Sequence, residues 1–300
     1  MKFLLTAINA KFIHSNPSIY SLRAGVGEKL QPYVELAEFT INESLESILE
    51  GIWKRQPKVI GFSCYIWNWK LIREILTELP KILPDTEIWL GGPEVTYDGP
   101  GLLSEFPQVT GIMVGEGEVT FREVLGQYVR EAESTGQSEQ QPEPDSIEQQ
   151  AADRTGTLAG KSVAERFGQI PGLCLASGYT APRELTDLTT LPFLYEDMEP
   201  FTNRIIYYET SRGCPYRCSY CLSSIDKKVR LRDIDVVKRE LQFFLDQNVK
   251  QVKFIDRTFN CDHKHAMEIW EYIYKHDNGV TNFHFEISAD ILREEEIVLL

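Results

Sequence analysis

Three of the six cysteines stand close together, at Cys214, Cys218 and Cys221. Their C-x3-C-x2-C spacing puts three thiolates on one short loop, which can present them on one face, as a cluster of iron and sulfide requires of its protein ligands. Three ligands on four irons leave one iron open to a small molecule that can chelate it and react. A zinc ion would normally close its tetrahedron with a fourth Cys or His at short spacing. The next candidates, Cys261 and His263, lie about 40 residues further on.

The elements that position this loop can be read on either side of it. Arg204 to Glu209 has the apolar, aromatic-rich character of a strand, and Gly213-Cys214-Pro215 forces a turn directly after it. The loop therefore leaves the carboxyl end of a strand. With Tyr220 just before the last cysteine, it resembles the signature of the radical S-adenosylmethionine (SAM) superfamily. That resemblance implies a partial (β/α)6 barrel, a [4Fe-4S] cluster on Cys214, Cys218 and Cys221, and reductive cleavage of SAM to methionine and a 5′-deoxyadenosyl radical. It also implies an electron donor such as a flavodoxin or ferredoxin.

The chain has 300 residues, 42% of them apolar, and a formal net charge of −14. This length and composition suit about two globular domains. The negative balance argues against a general nucleic-acid or membrane-surface binder, either of which needs a basic face. The amino-terminal apolar run has no cleavage site and is too short to span a bilayer. Six cysteines without a secretion signal point to a reducing, cytoplasmic setting.

Residues 1–130 alternate strand and helix patterns. Apolar runs at Lys2 to Ile8, Tyr33 to Phe39, Lys58 to Phe62, Glu87 to Leu90 and Gly111 to Val114 predict buried strands, and segments of helical spacing lie between them. Such alternation predicts a parallel, doubly wound, Rossmann-like sheet whose ligands bind at the carboxyl ends of the strands. The loops expected there contain Ser63 and Tyr65, then Gly91-Gly92-Pro93-Glu94, then Gly115-Glu116. No G-x-G-x-x-G or P-loop is present. The G-G-P and G-E-G-E turns resemble the cobalamin-binding domain that precedes the barrel in one radical SAM subgroup, and this resemblance implies that these eight residues contact cobalamin. The D-x-H-x-x-G motif of cobalamin mutases is absent. His14, in Phe12-Ile13-His14-Ser15-Asn16, reads as a polar loop residue.

Residues 131–168 are acidic and rich in Gln, Ser and Pro at their start, which predicts a disordered insertion or linker. Residues 169–199 predict a hairpin and a connector, with Cys174 as a small core residue. From 200 to 300 three β-α units follow, with Asp233 as an N-cap and strands over Val249 to Ile255 and Phe283 to Ile287. These units resemble the first half of a radical SAM barrel, and that resemblance implies a truncated sequence. His263 and His265, at a helix start, are expected to face solvent.

In a parallel barrel the reacting groups gather at the carboxyl ends of the strands. The resemblance implies that Tyr220 lies by the adenine of SAM. Asp256 or Glu286 would meet its ammonium or ribose, and Arg257 or Ser288 its carboxylate. These are cofactor contacts, and the sequence singles out no catalytic residue. The usual G-G-E after the second strand is replaced by Ile255-Asp256-Arg257-Thr258-Phe259. The blocks Gly-Gly-Pro-Glu-Val-Thr-Tyr, Tyr-Glu-Thr-Ser-Arg-Gly-Cys-Pro and Val-Lys-Phe-Ile-Asp-Arg-Thr-Phe-Asn resemble a subgroup with no substrate attached. A cobalamin domain beside such a barrel implies methyl transfer to an unactivated carbon of a small-molecule or biosynthetic-intermediate substrate. Two alternatives stay open: a radical SAM enzyme whose first domain no longer binds cobalamin, and a non-catalytic iron-sulfur or metal-binding protein.

Overall fold

A computed structural model describes residues 1–134, 161–226 and 228–300. Most of the expected disordered insertion lies outside these residues. Internal contacts divide the chain into two units, one made of Met1–Lys11 and Ser18–Thr186, the other of Phe12–Pro17 and Asp187–Leu300.

The first unit is built on a seven-stranded sheet. Five parallel strands, β1 (Phe3–Asn9), β2 (Val34–Thr40), β3 (Val59–Ser63), β4 (Glu87–Gly91) and β5 (Val109–Met113), stand in the order β2-β1-β3-β4-β5. A short hairpin of β6 (Leu173–Leu175) and β7 (Gly178–Tyr179) extends the β5 edge in antiparallel sense. Alternate residues of β1 feed two cores, because successive side chains of a strand point to opposite faces. Leu4 and Ile8 join Ile48 and Ile52 of α2 (Leu45–Trp53) and Ile72, Ile75 and Leu76 of α3 (Trp69–Ile82). Phe3, Leu5 and Ala7 join Ile19 of α1 (Pro17–Gly25) and Phe121, Val124 and Leu125 of α5 (Gly117–Ser134). Short helices α4 (Gly99–Glu105) and α6 (Val163–Phe167) complete the layers. Both ends of the stretch read as disordered are ordered: α5 runs to Ser134, four residues into it, and α6 lies wholly within it, because Phe167 is fully buried and Arg166 pairs with Glu131 of α5 at 2.9 Å and with Glu87 at 3.0 Å.

The second unit holds three parallel strands, β8 (Ile206–Tyr208), β11 (Gln251–Phe254) and β12 (Asn282–His284), in the order β12-β11-β8. Helices α7 (Ile234–Asp246) and α8 (His263–His276) connect them, and α9 (Glu294–Leu299) follows. The expected cap is present, since Asp233 accepts the amides of Asp235 and Val236. Rings fill the interior: Phe254 meets Tyr208, Phe259 and Phe285 at centroid distances of 5.4, 5.2 and 4.4 Å. A two-stranded antiparallel ribbon, β9 (Ser211–Arg212) with β10 (Arg230–Leu231), brackets the cysteine loop. The sequence reading missed it, because two-residue strands carry no period.

The histidine expectation needs correction. His265 is buried at 8% exposure, and His263 pairs with Glu296 at 2.7 Å. Both lie on the first turn of α8, and Asp262, which caps that turn through the His265 amide, fixes the helix start so that His265 turns inward.

Candidate functional site

The cysteine loop is framed before it is filled. Gly213 opens it with φ +97, and a Cβ there would lie 2.4 Å from the Lys228 carbonyl oxygen. Only glycine lets the two legs of the loop approach so closely. The Cys214 amide donates to the Asp226 carbonyl at 3.1 Å, and the Cys221 amide to that of Cys218 at 3.1 Å. All three thiols are free: Cys214 is buried, Cys221 half-buried and Cys218 exposed. Hydrogen bonds from the Ser223 backbone and side chain, with the Arg257 guanidinium and the Ser224 amide adding to them, lower the pKa of Cys221 below its ordinary value against a small effect of burial. That environment favours the thiolate, the form that binds metal.

Among the described residues, no three His, Cys, Asp or Glu side chains converge on a point where one metal ion could be held. A four-iron cluster asks for something else, since each thiolate takes its own iron and the sulfurs stay a cluster's width apart. Three free thiols on one constrained loop, one of them favoured as thiolate, fit that demand.

The segment after β11 grips this loop with alternate residues. Asp256, Thr258 and Asn260 are buried at 1%, 6% and 0% exposure, while Arg257 between them is exposed. The Asp256 carboxylate accepts the Thr210 amide at 3.1 Å, the Thr210 hydroxyl at 2.6 Å and the Ser211 hydroxyl at 2.5 Å. Burial raises its pKa, and those same donors oppose the rise. Thr258 Oγ1 lies 3.5 Å from Cys214 Sγ. Asn260 exchanges two hydrogen bonds of 2.9 Å with the Ser288 backbone, and the Ser288 hydroxyl reaches the Tyr216 hydroxyl at 3.1 Å.

Against the sequence expectations, Asp256 spends its carboxylate inward, on the strand leading into the loop, because the sheet register places its side chain beneath Thr210 and Ser211. Glu286 is exposed and pairs with Lys253 at 3.3 Å. Arg257 and the 91% exposed Tyr220 remain on the open side. Ser288 also donates to Asp290 at 2.9 Å. His14 belongs to this unit: its Nδ1 lies 2.5 Å from the Tyr207 hydroxyl, while the Ile205 amide donates to Ile13 O and the Ser15 hydroxyl to Ile205 O.

In the first unit, the carboxyl ends of β1, β3, β4 and β5 form one edge. Asn68, fully buried, donates to Ile8 O at 3.1 Å and Ser63 O at 2.9 Å and accepts the Tyr65 amide at 2.8 Å, tying the β3 loop to β1. Gly92, at φ +111, would place a Cβ 2.5 Å from Cys64 O, so the β4 loop must carry glycine there. The Glu94 amide donates to Cys64 O at 3.4 Å, and Pro93 is half-buried. Tyr65 stacks on Trp67 at 4.3 Å and shares a hydrogen bond with Ser18, and Ile66 is 81% exposed. An exposed apolar and aromatic loop at a switch point between β1 and β3 suits a large, flat ligand. Gly115 turns freely at φ +79, whereas Glu116 accepts the Thr186 amide at 2.6 Å and Glu118 accepts the Ser21 hydroxyl at 2.9 Å. The two carboxylates of the G-E-G-E turn thus brace their own unit.

Comparison with known proteins follows the same division. The family model for the B12 binding domain matches residues 4–125, and that for the radical SAM superfamily matches residues 208–300. The chain is similar to the 2-(S-pantetheinyl)-carbapenam-3-carboxylate methyltransferase of Streptantibioticus cattleyicolor, at 27% identity over 228 residues, covering 72% of this chain and 29% of that protein. It is also similar to the cobalamin-dependent radical SAM methyltransferase TokK of Streptomyces tokunonensis, at 24% identity over 226 residues, covering 68% of this chain and 28% of that protein. The chain therefore spans less than a third of the length of these two relatives. Among solved structures, the radical SAM methyltransferase TsrM from Kitasatospora setae, with cobalamin and a [4Fe-4S] cluster bound, shares the fold at a TM-score of 0.65 and 17% identity, covering 100% of this chain and 57% of that chain. The chain therefore carries a region of the B12-binding type followed by a region of the radical SAM type, in the order of a radical SAM protein with an N-terminal cobalamin-binding domain.

Proposed function

We propose that this chain is the cofactor-binding part of a cobalamin-dependent radical SAM methyltransferase. The observation that carries the reading is the cysteine loop itself, three free thiols held between β9 and β10 at the carboxyl end of the first strand of a parallel β-α-β-α-β unit. When bound, a [4Fe-4S] cluster supplies the electron that cleaves SAM, and cobalamin a carrier for the methyl group. Cys214, Cys218 and Cys221 hold the cluster. Arg257 and Tyr220, on the open side, meet the carboxylate and adenine of SAM, with Ser288 and Glu286 at the next strand end. Asp256 supports the site from beneath.

In the first unit Ser63, Tyr65, Gly91, Gly92, Pro93, Glu94, Gly115 and Glu116 shape the cobalamin crevice, the glycines by letting backbone come close and Tyr65 by its stacked ring. The substrate is a small molecule or biosynthetic intermediate, methylated at an unactivated carbon, and a flavodoxin or ferredoxin supplies electrons. No helix among the described residues is long and apolar enough to cross a membrane.

Anaerobic reconstitution tests the reading. A reduced four-iron EPR signal that changes on adding SAM, and disappears in Cys218→Ala, supports it. A protein that takes up no four-iron cluster, or one indifferent to SAM, overturns it.

A further inference from the structure

We infer that Thr258 is a tuning residue for the cluster, donating a hydrogen bond from its hydroxyl to the Cys214 thiolate and raising the potential at which the cluster accepts its electron. This inference rests on the cluster reading above and goes beyond it, because it assigns a role to a residue that binds neither iron nor SAM.

The geometry is specific. Thr258 Oγ1 lies 3.5 Å from Cys214 Sγ, and among the described residues its hydroxyl has no other hydrogen-bond partner. Either atom could donate between a hydroxyl and a thiol. A thiolate bound to iron has no proton, so with the cluster in place only Thr258 can be the donor. The contact is dry: Thr258 is 6% and Cys214 8% exposed. Water therefore cannot easily replace the lost donor.

The backbone also fixes the hydroxyl in position. Asp256 on one side is tied to Thr210 and Ser211, Asn260 on the other is tied to Ser288, and the Thr258 carbonyl accepts the Cys261 amide at 3.0 Å. Such a donor stabilises negative charge on sulfur, and more so after the cluster has gained an electron. Hydrogen bonds to cluster sulfurs are among the levers that set its potential.

The test is a redox titration followed by EPR, on wild type, Thr258→Val, Thr258→Ala and Thr258→Ser, each reconstituted with iron and sulfide. Thr258→Val keeps the shape and removes the hydroxyl, and its midpoint potential is expected to move to more negative values, as in Thr258→Ala. Thr258→Ser keeps the donor and is expected to stay with wild type. Val and Ala variants that load the cluster and titrate at the wild-type potential overturn the inference and leave the cluster reading intact. If Val and Ala fail to load iron, the Ser variant decides: wild-type iron content and potential support the hydroxyl's role, and loss in Ser as well overturns it. A wild type without a four-iron signal overturns both readings together.

Discussion

Asp256 and Thr210 are joined twice, by the Thr210 amide at 3.1 Å and its hydroxyl at 2.6 Å, both ending on one buried carboxylate. The pair locks the end of the second strand of the radical SAM unit to the residue that starts the cysteine loop. It is a bond between two neighbouring strand ends, and it makes the placement of three thiols depend on a residue more than thirty positions further along the chain.

Removing that carboxylate strands three donors in a dry site, at a cost of about 3 kcal/mol by the usual penalty for buried unpaired groups. Asp256→Ala is expected to lower the denaturant midpoint and the iron bound per chain on reconstitution. Asp256→Asn, which keeps one acceptor oxygen for the two hydroxyls but turns its amide NH2 donor toward the Thr210 N–H, should fall between. Unchanged iron content in the alanine variant would show that the loop is ordered without this support.

Gly92→Ala is expected to be among the most damaging single changes in the first unit. Its φ of +111 strains any other residue, and the added Cβ would press 2.5 Å from Cys64 O. The β3 and β4 loops must then part, with a loss of about 2 kcal/mol. Thermal unfolding checks the stability, and absorbance titration with hydroxocobalamin checks the crevice, where weaker binding is expected.

The Asn260 side chain closes a two-point clamp on the Ser288 backbone. Asn260→Ala leaves the half-buried amide and carbonyl of Ser288 without their partner and should cost about 1 kcal/mol. Amide hydrogen exchange is the direct measurement: protection at Ser288 is expected to fall while the first sheet is unaffected.

His265 gives the second unit a pH dependence. Burial lowers its pKa below the ordinary 6.5, with Asp262 and Glu268 opposing and Lys238 adding to the fall, and its Nε2 has no hydrogen-bond partner among the described residues. The unfolded chain therefore binds the proton more readily than the folded one. Stability is complete above about pH 6.5 and is lost as pH falls from there toward the folded-state pKa. Melting temperatures measured across pH 5 to 8 should show this slope, reduced in His265→Leu.

Much of this architecture can be read from local pattern. Strand and helix positions in the first unit follow from local pattern, because β1, β3 and β4 are buried along most of their length and read as apolar runs, while β2 at the sheet edge mixes Val34, Leu36, Ala37 and Phe39 with Glu35 and Glu38. The cysteine loop is equally legible, since its ligands lie within one short segment and a glycine and a proline mark the turn. The β9–β10 ribbon and the inward side chains are not legible in this way. Two-residue strands have no period, and which face a residue such as Asp256 takes past the end of a strand is set by the register of β11 against β8.

The sequence by itself determined the alternation that makes two α/β units, the spacing that brings three thiols onto one loop, and the glycines that allow close approach at Gly92 and Gly213. These depend on residues near one another in the chain, so local chemistry suffices. Tertiary structure alone decided that Asp256 would brace the loop, that Thr258 would meet the Cys214 sulfur and that His265 would be buried. Each depends on a partner brought close by strand pairing or helix packing, and identical side chains would have faced solvent had the register differed by one residue.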